Sequence, residues 1–205
     1  MDEDAFDARC THITIHDRRS GVMVCTFRLF DLCPADIAAS HAAQYYDLSA
    51  LQHFDGRISE MGRFCIDPRF KDPDILRIAW AELTTHVDAN HIKLLFGCAS
   101  FAGMDGTAYL DAFALLKDRH LAPANRAPEV KAPDVFHYAE RVRRKPNQEK
   151  AMAEMPPLLR SYLKMGAWVS DHAVVDRHME TLHVFTGLEI DVIPATRRRL
   201  LRALA

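Results

Sequence analysis

Glu60 and Arg63 stand three apart in the stretch EMGRFCIDP, residues 60–68, and another arginine, Arg28, interrupts the earlier apolar stretch TFRLF. A carboxylate and a guanidinium set among apolar residues are either a structural ion pair on a sheet face or a chemical site. On a regular strand side chains alternate, so residues three apart point to opposite faces. Gly62 lies between them, and one extra residue at a glycine bulge would bring both to one face while splaying the strand from its neighbour. A glutamate near a guanidinium stays ionised, and an ionised, partly desolvated carboxylate can take a proton from an amine, directly or through a water. Spacing leaves both readings open.

Two other constellations promise less. In SDHAVVDRHMETLH, His172, His178 and His183 accompany Asp171 and Asp176, but the spacing fits no helical zinc motif and ordinary hydrogen-bonded histidines are expected. The stretch GCASFAG is not the G-x-S-x-G nucleophile turn, and no triad order follows it.

The elements that must hold Glu60, Arg63 and Arg28 follow from periodicity. THITIHD (11–17) and GVMVCTFRLF (21–30) alternate with a period near two around RRSG, which predicts a hairpin. A strand is expected over 56–66. Asp72 can cap a helix with Pro73 in its first turn, and Ile75, Ile78, Ala79, Leu83 and Val87 follow at helical spacing. IKLLFGC (92–98) suits a buried strand, TAYLDAFALLKDRH a second amphipathic helix, and Pro156–Pro157 begin a short helix stopped by Gly166. AWVSDHAVVDR and TLHVFTGLEI read as two closing strands, and Trp80 and Phe96 as core.

The chain has 205 residues, 49% of them apolar, without repeats or a low-complexity linker, so one domain over residues 1–205 is expected. No apolar run approaches a membrane span, and MDEDAFDARC is acidic where a signal peptide is basic then apolar, so a cytoplasmic location is expected. The five cysteines are scattered without a C-x-x-C pair and read as free thiols. Net charge is −2, yet residues 126–205 carry 14 Lys/Arg against 10 Asp/Glu. The densest clusters, ERVRRKP (140–146) and TRRRLLR near the C-terminus, attract anionic partners or form a solvated face. No nucleic-acid-binding module accompanies them.

TFRLF, DLSAL (47–51), EMGRFCIDP, LLFGCASFAGMDG (94–106) and PPLLRSYLKMGAWVSDHAVVD (156–176), in that order, resemble the ornithine–acyl carrier protein N-acyltransferase family, which makes lyso-ornithine lipid. That family is GNAT-like and similar to the acyl-homoserine lactone synthases, whose arginine on one strand and E-x-x-R-F on a later one are matched by Arg28, Glu60, Arg63 and Phe64. The resemblance implies an α/β (α+β) fold with a central twisted mixed sheet and helices on both faces. Relatives begin with a further segment bearing an LRY-x-VF-like motif, and this chain is expected to be short of it. It implies transfer of an acyl chain, 3-hydroxylated or not, from acyl carrier protein to the α-amine of an amino acid, with no metal or cofactor. Glu60 would be the base, Arg63 and Arg28 would orient it and bind the acceptor carboxylate, and Ser100 and Tyr109 are candidate donors to the leaving thiolate. PRFKDPD lacks the glycine-rich loop that wraps a pyrophosphate, which disfavours coenzyme A. Carrier-bound pantetheine has one phosphodiester, for which Arg69, Lys71 and the helix start at Asp72 would serve. Arg69, Lys71, Arg141, Arg143, Arg144 and Lys145 would dock the acidic carrier, with the inner membrane surface as a second contact. The open alternatives are another acceptor such as glutamine, or a silent GNAT-like protein that only binds the carrier.

Overall fold

The computed structural model describes residues 3–203. Along the chain lie β1 (Thr11–His16), β2 (Met23–Leu32), β3 (Tyr46–Asp47), β4 (Arg57–Ile66), α1 (Pro73–Ala89), β5 (Ile92–Ala102), α2 (Leu110–Arg119), β6 (Glu129–Val130), β7 (Val135–Phe136), α3 (Tyr138–Arg141), α4 (Gln148–Glu154), α5 (Pro157–Lys164), β8 (Trp168–Val169), β9 (Ala173–Asp176), β10 (Thr181–Glu189) and α6 (Ala195–Arg202). The main sheet runs β1-β2-β4-β5-β10-β9-β7, with β8 also on β10. Among the described strands only the β4–β5 pair is parallel, because α1 carries the chain back between them.

The firmest local signals produce the elements expected of them. Asp72 accepts from the Asp74 N–H and Pro73 fills the first turn of α1. Ile75, Ala79, Leu83 and Val87 bury one face against the sheet, while Ile78 on the same count is exposed. Gly166 ends the stretch after α5 at φ +97°, the left-handed region where a β-carbon is penalised. The closing strand expected over AWVSDHAVVDR is broken, because Ser170 turns inward: its hydroxyl donates to the His172 carbonyl and accepts the Phe185 N–H, which separates β8 from β9.

The faces of the sheet are covered differently. One carries α1, α2, α4 and α5, packed on Phe27, Leu29, Met61, Leu95, Ala99, Phe101, Leu182 and Val184. The other carries Phe30, Ile58, Leu94, Phe96 and Phe185, and is roofed by short 3-10 turns between residues 34 and 51 together with Tyr46 of β3. Both faces therefore carry helix, regular on one and single-turn on the other.

Candidate functional site

Two strand irregularities open the site. Parallel pairing of β4 with β5 runs only from Arg57 to Glu60, opposite Ile92 to Phe96. Gly97 follows on β5, where a β-carbon would collide with the Met61 carbonyl oxygen, and beyond it the facing edges make no ladder pairs. The second irregularity is a register slip between β2 and β4: Arg28 faces Gly62 but Thr26 faces Cys65, so Arg63 and Phe64 share the space opposite Phe27. Arg63 absorbs the extra residue at φ +54°. A bulge was expected at Gly62; it falls one residue later, with Arg63 itself left-handed, and the consequence is the expected one. Phe64 stacks on Phe27 on the helix-bearing face, 5.6 Å between ring centres, while Arg63 turns to the face of Glu60 and Arg28.

A cavity of about 640 Å³ occupies the gap and opens to both sides of the sheet. On the roofed side it meets Arg28, His41, Glu60, Ser100, Asp176 and His183; on the helix-bearing side it meets Met61, Phe64, Leu158, Leu159 and Tyr162. The polar arm and the apolar arm join between β4 and β5.

The charges in the polar arm are paired in a way that the sequence reading did not anticipate. Arg28 is buried, and its guanidinium grips Asp4 with two prongs, Nη1 to Oδ1 at 2.7 Å and Nη2 to Oδ2 at 2.9 Å, while Nη1 also reaches Asp7 at 2.6 Å. Arg63 Nη2 lies 3.3 Å from the same Asp4 carboxylate. The Arg28 hydrogen bonds hold Asp4 well below the usual carboxylate range, against the opposing effect of burial. Asp7 is held down first by the Asp4 backbone N–H and then by Arg28. Burial works against the charge of Arg28, and its two carboxylates more than restore it.

Glu60 is therefore not the arginines' partner. Its carboxylate accepts the backbone N–H of His41 at 2.8 Å and of Ala42 at 2.7 Å, which anchors the 3-10 turn Ala42–Gln44 over the sheet. Burial pushes its pKa up, and the two N–H groups and Arg28 push back. The expected picture of a glutamate kept ionised by an adjacent arginine is corrected: burial prevails and raises its pKa, and the backbone donors oppose it more than Arg28 does.

Of the other expected site residues, Ser100 lines the polar arm from β5, within the strand and opposite His183. Tyr109 does not line the cavity; it packs on Phe101 and Phe113 in the helix-side core, and its hydroxyl donates to the Ala102 carbonyl at 2.6 Å. Its place in the chain, just before α2, carries it to the opposite face from Glu60. Arg69, Lys71 and Asp72 also lie outside the cavity lining. Arg69 is paired with Asp67 at 2.6 Å, Asp72 covers the helix start with its own carboxylate, and Lys71 is exposed. In the basic stretch, Arg144 and Lys150 reach buried Asp111, whereas Arg143 and Lys145 are exposed.

The reading missed His41, Tyr45 and Tyr46 and the place of His183 at the cavity. The histidines thought structural go separate ways: His172 Nδ1 meets Asp171, while exposed His178 and buried His183 both line the cavity. Burial lowers His183 to about 4, despite the opposing Asp176. Nothing local marks it, since its surroundings come from β3, β5 and β9.

The arrangement offers an anion clamp at one end, an apolar sleeve at the other, and unpaired strand edges between them, which suits joining a polar acceptor to an apolar acyl donor. A family model described as an acetyltransferase (GNAT) domain matches residues 1–81. An L-ornithine N(alpha)-acyltransferase of Rhodobacter capsulatus is 28% identical over 205 residues, covering 97% of this chain and 78% of that protein. One from Brucella abortus is 30% identical over 202 residues, covering 94% and 71%. Among solved structures, FeeM, an N-acyl amino acid synthase from uncultured soil microbes, aligns with a TM-score of 0.49 at 10% identity over 92% of this chain and 76% of its own.

Proposed function

Since the chain belongs to the L-ornithine N(alpha)-acyltransferase family, we propose that it moves an acyl chain from a carrier-bound thioester onto the α-amine of ornithine, the first step of ornithine lipid formation. The observation that carries this reading is the Asp4 carboxylate held by the Arg28 fork with Arg63 alongside, at one end of a cavity whose other end is apolar. A free amino acid presents the same group: its carboxylate in place of Asp4 would set the neighbouring α-amine against the gap between β4 and β5. The thioester would lie in the gap with its chain towards Met61, Phe64 and Leu159, and backbone groups on the unpaired edges would face the oxyanion. Holding both reactants in this geometry supplies most of the catalysis, because the thioester arrives already activated and needs no resident metal or cofactor.

In this reading Arg28 and Arg63 bind acceptor, and Glu60 is a positioning residue that fixes the His41–Tyr45 wall. Acyl carrier protein is the proposed donor because no pyrophosphate-wrapping loop follows β4 and because exposed Lys71, Arg143 and Lys145 offer an acidic partner a docking charge. No described helix is long and apolar enough to cross a membrane. We assign the release of a lyso-lipid product to the inner membrane surface, where arginine-rich α6 would face anionic headgroups.

Purified protein incubated with 3-hydroxyacyl carrier protein and ornithine, followed by mass spectrometry, tests the reading: N-acylornithine should form. Product from glutamine at an equal rate would move the acceptor assignment, equal use of acyl-coenzyme A would remove the carrier from it, and no amide from any donor would overturn it.

A further inference from the structure

If Glu60 is committed to two backbone N–H groups, the proton released by the attacking amine needs another acceptor. Tyr46 has one hydroxyl hydrogen, and the geometry shows where it goes: the oxygen lies 2.8 Å from the His183 carbonyl, a pure acceptor. The same oxygen lies 3.2 Å from His183 Nδ1. With its hydrogen committed to the carbonyl, the hydroxyl can only accept from Nδ1, so Nδ1 carries the imidazole hydrogen and Nε2 carries a lone pair. Nε2 has no hydrogen-bond partner among the described residues, and unlike Nε2 of His172 it is not sealed from solvent. His183 lines the polar arm of the cavity.

We propose that His183 is a catalytic residue, the group that takes the proton from the acceptor's α-nitrogen and returns it to the departing sulfur. This rests on the function proposed above. The neutral α-amine uses its lone pair to form the C–N bond to the thioester carbonyl, whose π electrons move to oxygen. Nε2 takes a proton from the resulting ammonium centre. Collapse of the oxyanion re-forms the carbonyl and breaks the C–S bond, and the imidazolium gives its proton to the leaving thiolate. Amine and thioester become amide and thiol, and His183 ends neutral. One group performs both transfers, so the separate donor role expected of Ser100 or Tyr109 is not required.

The surroundings suit the task. Burial keeps His183 neutral, helped by His41 and His172, with Asp176 opposing. Burial also keeps the neighbouring Tyr46 and Cys98 in their protonated, uncharged forms. His183 thus presents an uncharged, unengaged lone pair in the polar arm.

The variant H183N places an amide N–H where Nδ1–H sits, preserving the donor to Tyr46 while deleting Nε2. Its kcat for N-acylornithine formation should fall at least about 100-fold, the low end of the usual contribution of general acid–base catalysis, with KM for ornithine changed less than about threefold. A smaller fall in kcat with an active wild type overturns the assignment and leaves the proposed function standing; a wild type that forms no N-acylornithine overturns both. Should H183N melt well below the wild type, histidine ¹⁵N shifts of the wild-type protein at pH 7 decide instead: an unprotonated Nε2 is expected, and an Nε2–H tautomer or an imidazolium overturns the proposal.

Discussion

Two buried charge clusters among the described residues are built in opposite senses. At the cavity the buried member is a cation, Arg28, at 4% exposure, and its carboxylate partners come from the segment before β1. Behind α2 the buried member is an anion, Asp111, at 0% exposure; it accepts the Asn147 N–H at 3.0 Å and is reached by Arg144 at 2.8 Å and Lys150 at 3.5 Å. The Asn147 N–H, then the two cations, hold Asp111 below the usual carboxylate range. An exposed lysine or arginine can leave a buried carboxylate, but the backbone N–H cannot follow, so the second cluster is a fixed tie between α2 and the start of α4. At Arg28 the partners are the side chains of Asp4 and Asp7, and in the proposed function a substrate carboxylate would replace Asp4. On the proposed function, the first cluster is exchangeable and the second structural.

The difference breaks most sharply at Arg28. Arg28→Ala should lower kcat/KM for ornithine by about 10³, chiefly through KM, because truncating one member of a buried hydrogen-bonded charge pair costs about 2–5 kcal/mol. Arg28→Lys should recover part of this, since a single ammonium cannot reproduce the fork. If steady-state kinetics show normal KM for either variant, Arg28 only pins the N-terminal segment.

At Asp111 the effect should appear in stability. Asp111→Ala should cost about 3 kcal/mol in urea unfolding, with turnover at 25 °C unchanged, since it leaves a backbone N–H unpaired and removes one tie between α4 and α2. pH supplies a second readout. The folded pKa of Asp111 is depressed, so its contribution is present above the ordinary value of 3.8 and is lost as pH falls through the lower folded value. The variant's unfolding free energy should therefore fall less steeply than the wild type's below about pH 4. Identical acid dependence would show that Asp111 is not a stabilising tie.

Glu60 lies between these cases. Glu60→Gln can accept only one of the two N–H groups and points an amide N–H at the other, so about 2 kcal/mol of stability should go. Turnover should drop about tenfold as the His41–Tyr45 wall loosens. A fully stable variant with no turnover would instead restore Glu60 as the base.

The smallest effect is expected where cations are exposed and uncommitted. Reversing Arg143 and Lys145 to glutamate should raise KM for acyl carrier protein about three- to tenfold at low salt and much less at 0.5 M, because exposed charges steer encounters and are screened. KM values that do not change with salt would remove this surface from the docking model.

The sequence determined what short-range chemistry can determine. Asp72 and Pro73 started α1, the apolar spacing set its buried face, and two-residue alternation around RRSG set the hairpin that carries Arg28. Gly62 between Glu60 and Arg63 signalled a bulge near enough to foresee that both side chains share a face with Arg28. Tertiary structure decided who those side chains meet. Asp4 reaches Arg28 across 24 residues, the Ala42 N–H reaches Glu60 across 18, and Tyr46 reaches His183 across 137. Carboxylate, guanidinium and imidazole bond indiscriminately to whatever donor or acceptor the fold brings within about 3 Å. Which group arrives there is set by sheet order and by the turns that roof one face, and no spacing along the chain encodes that.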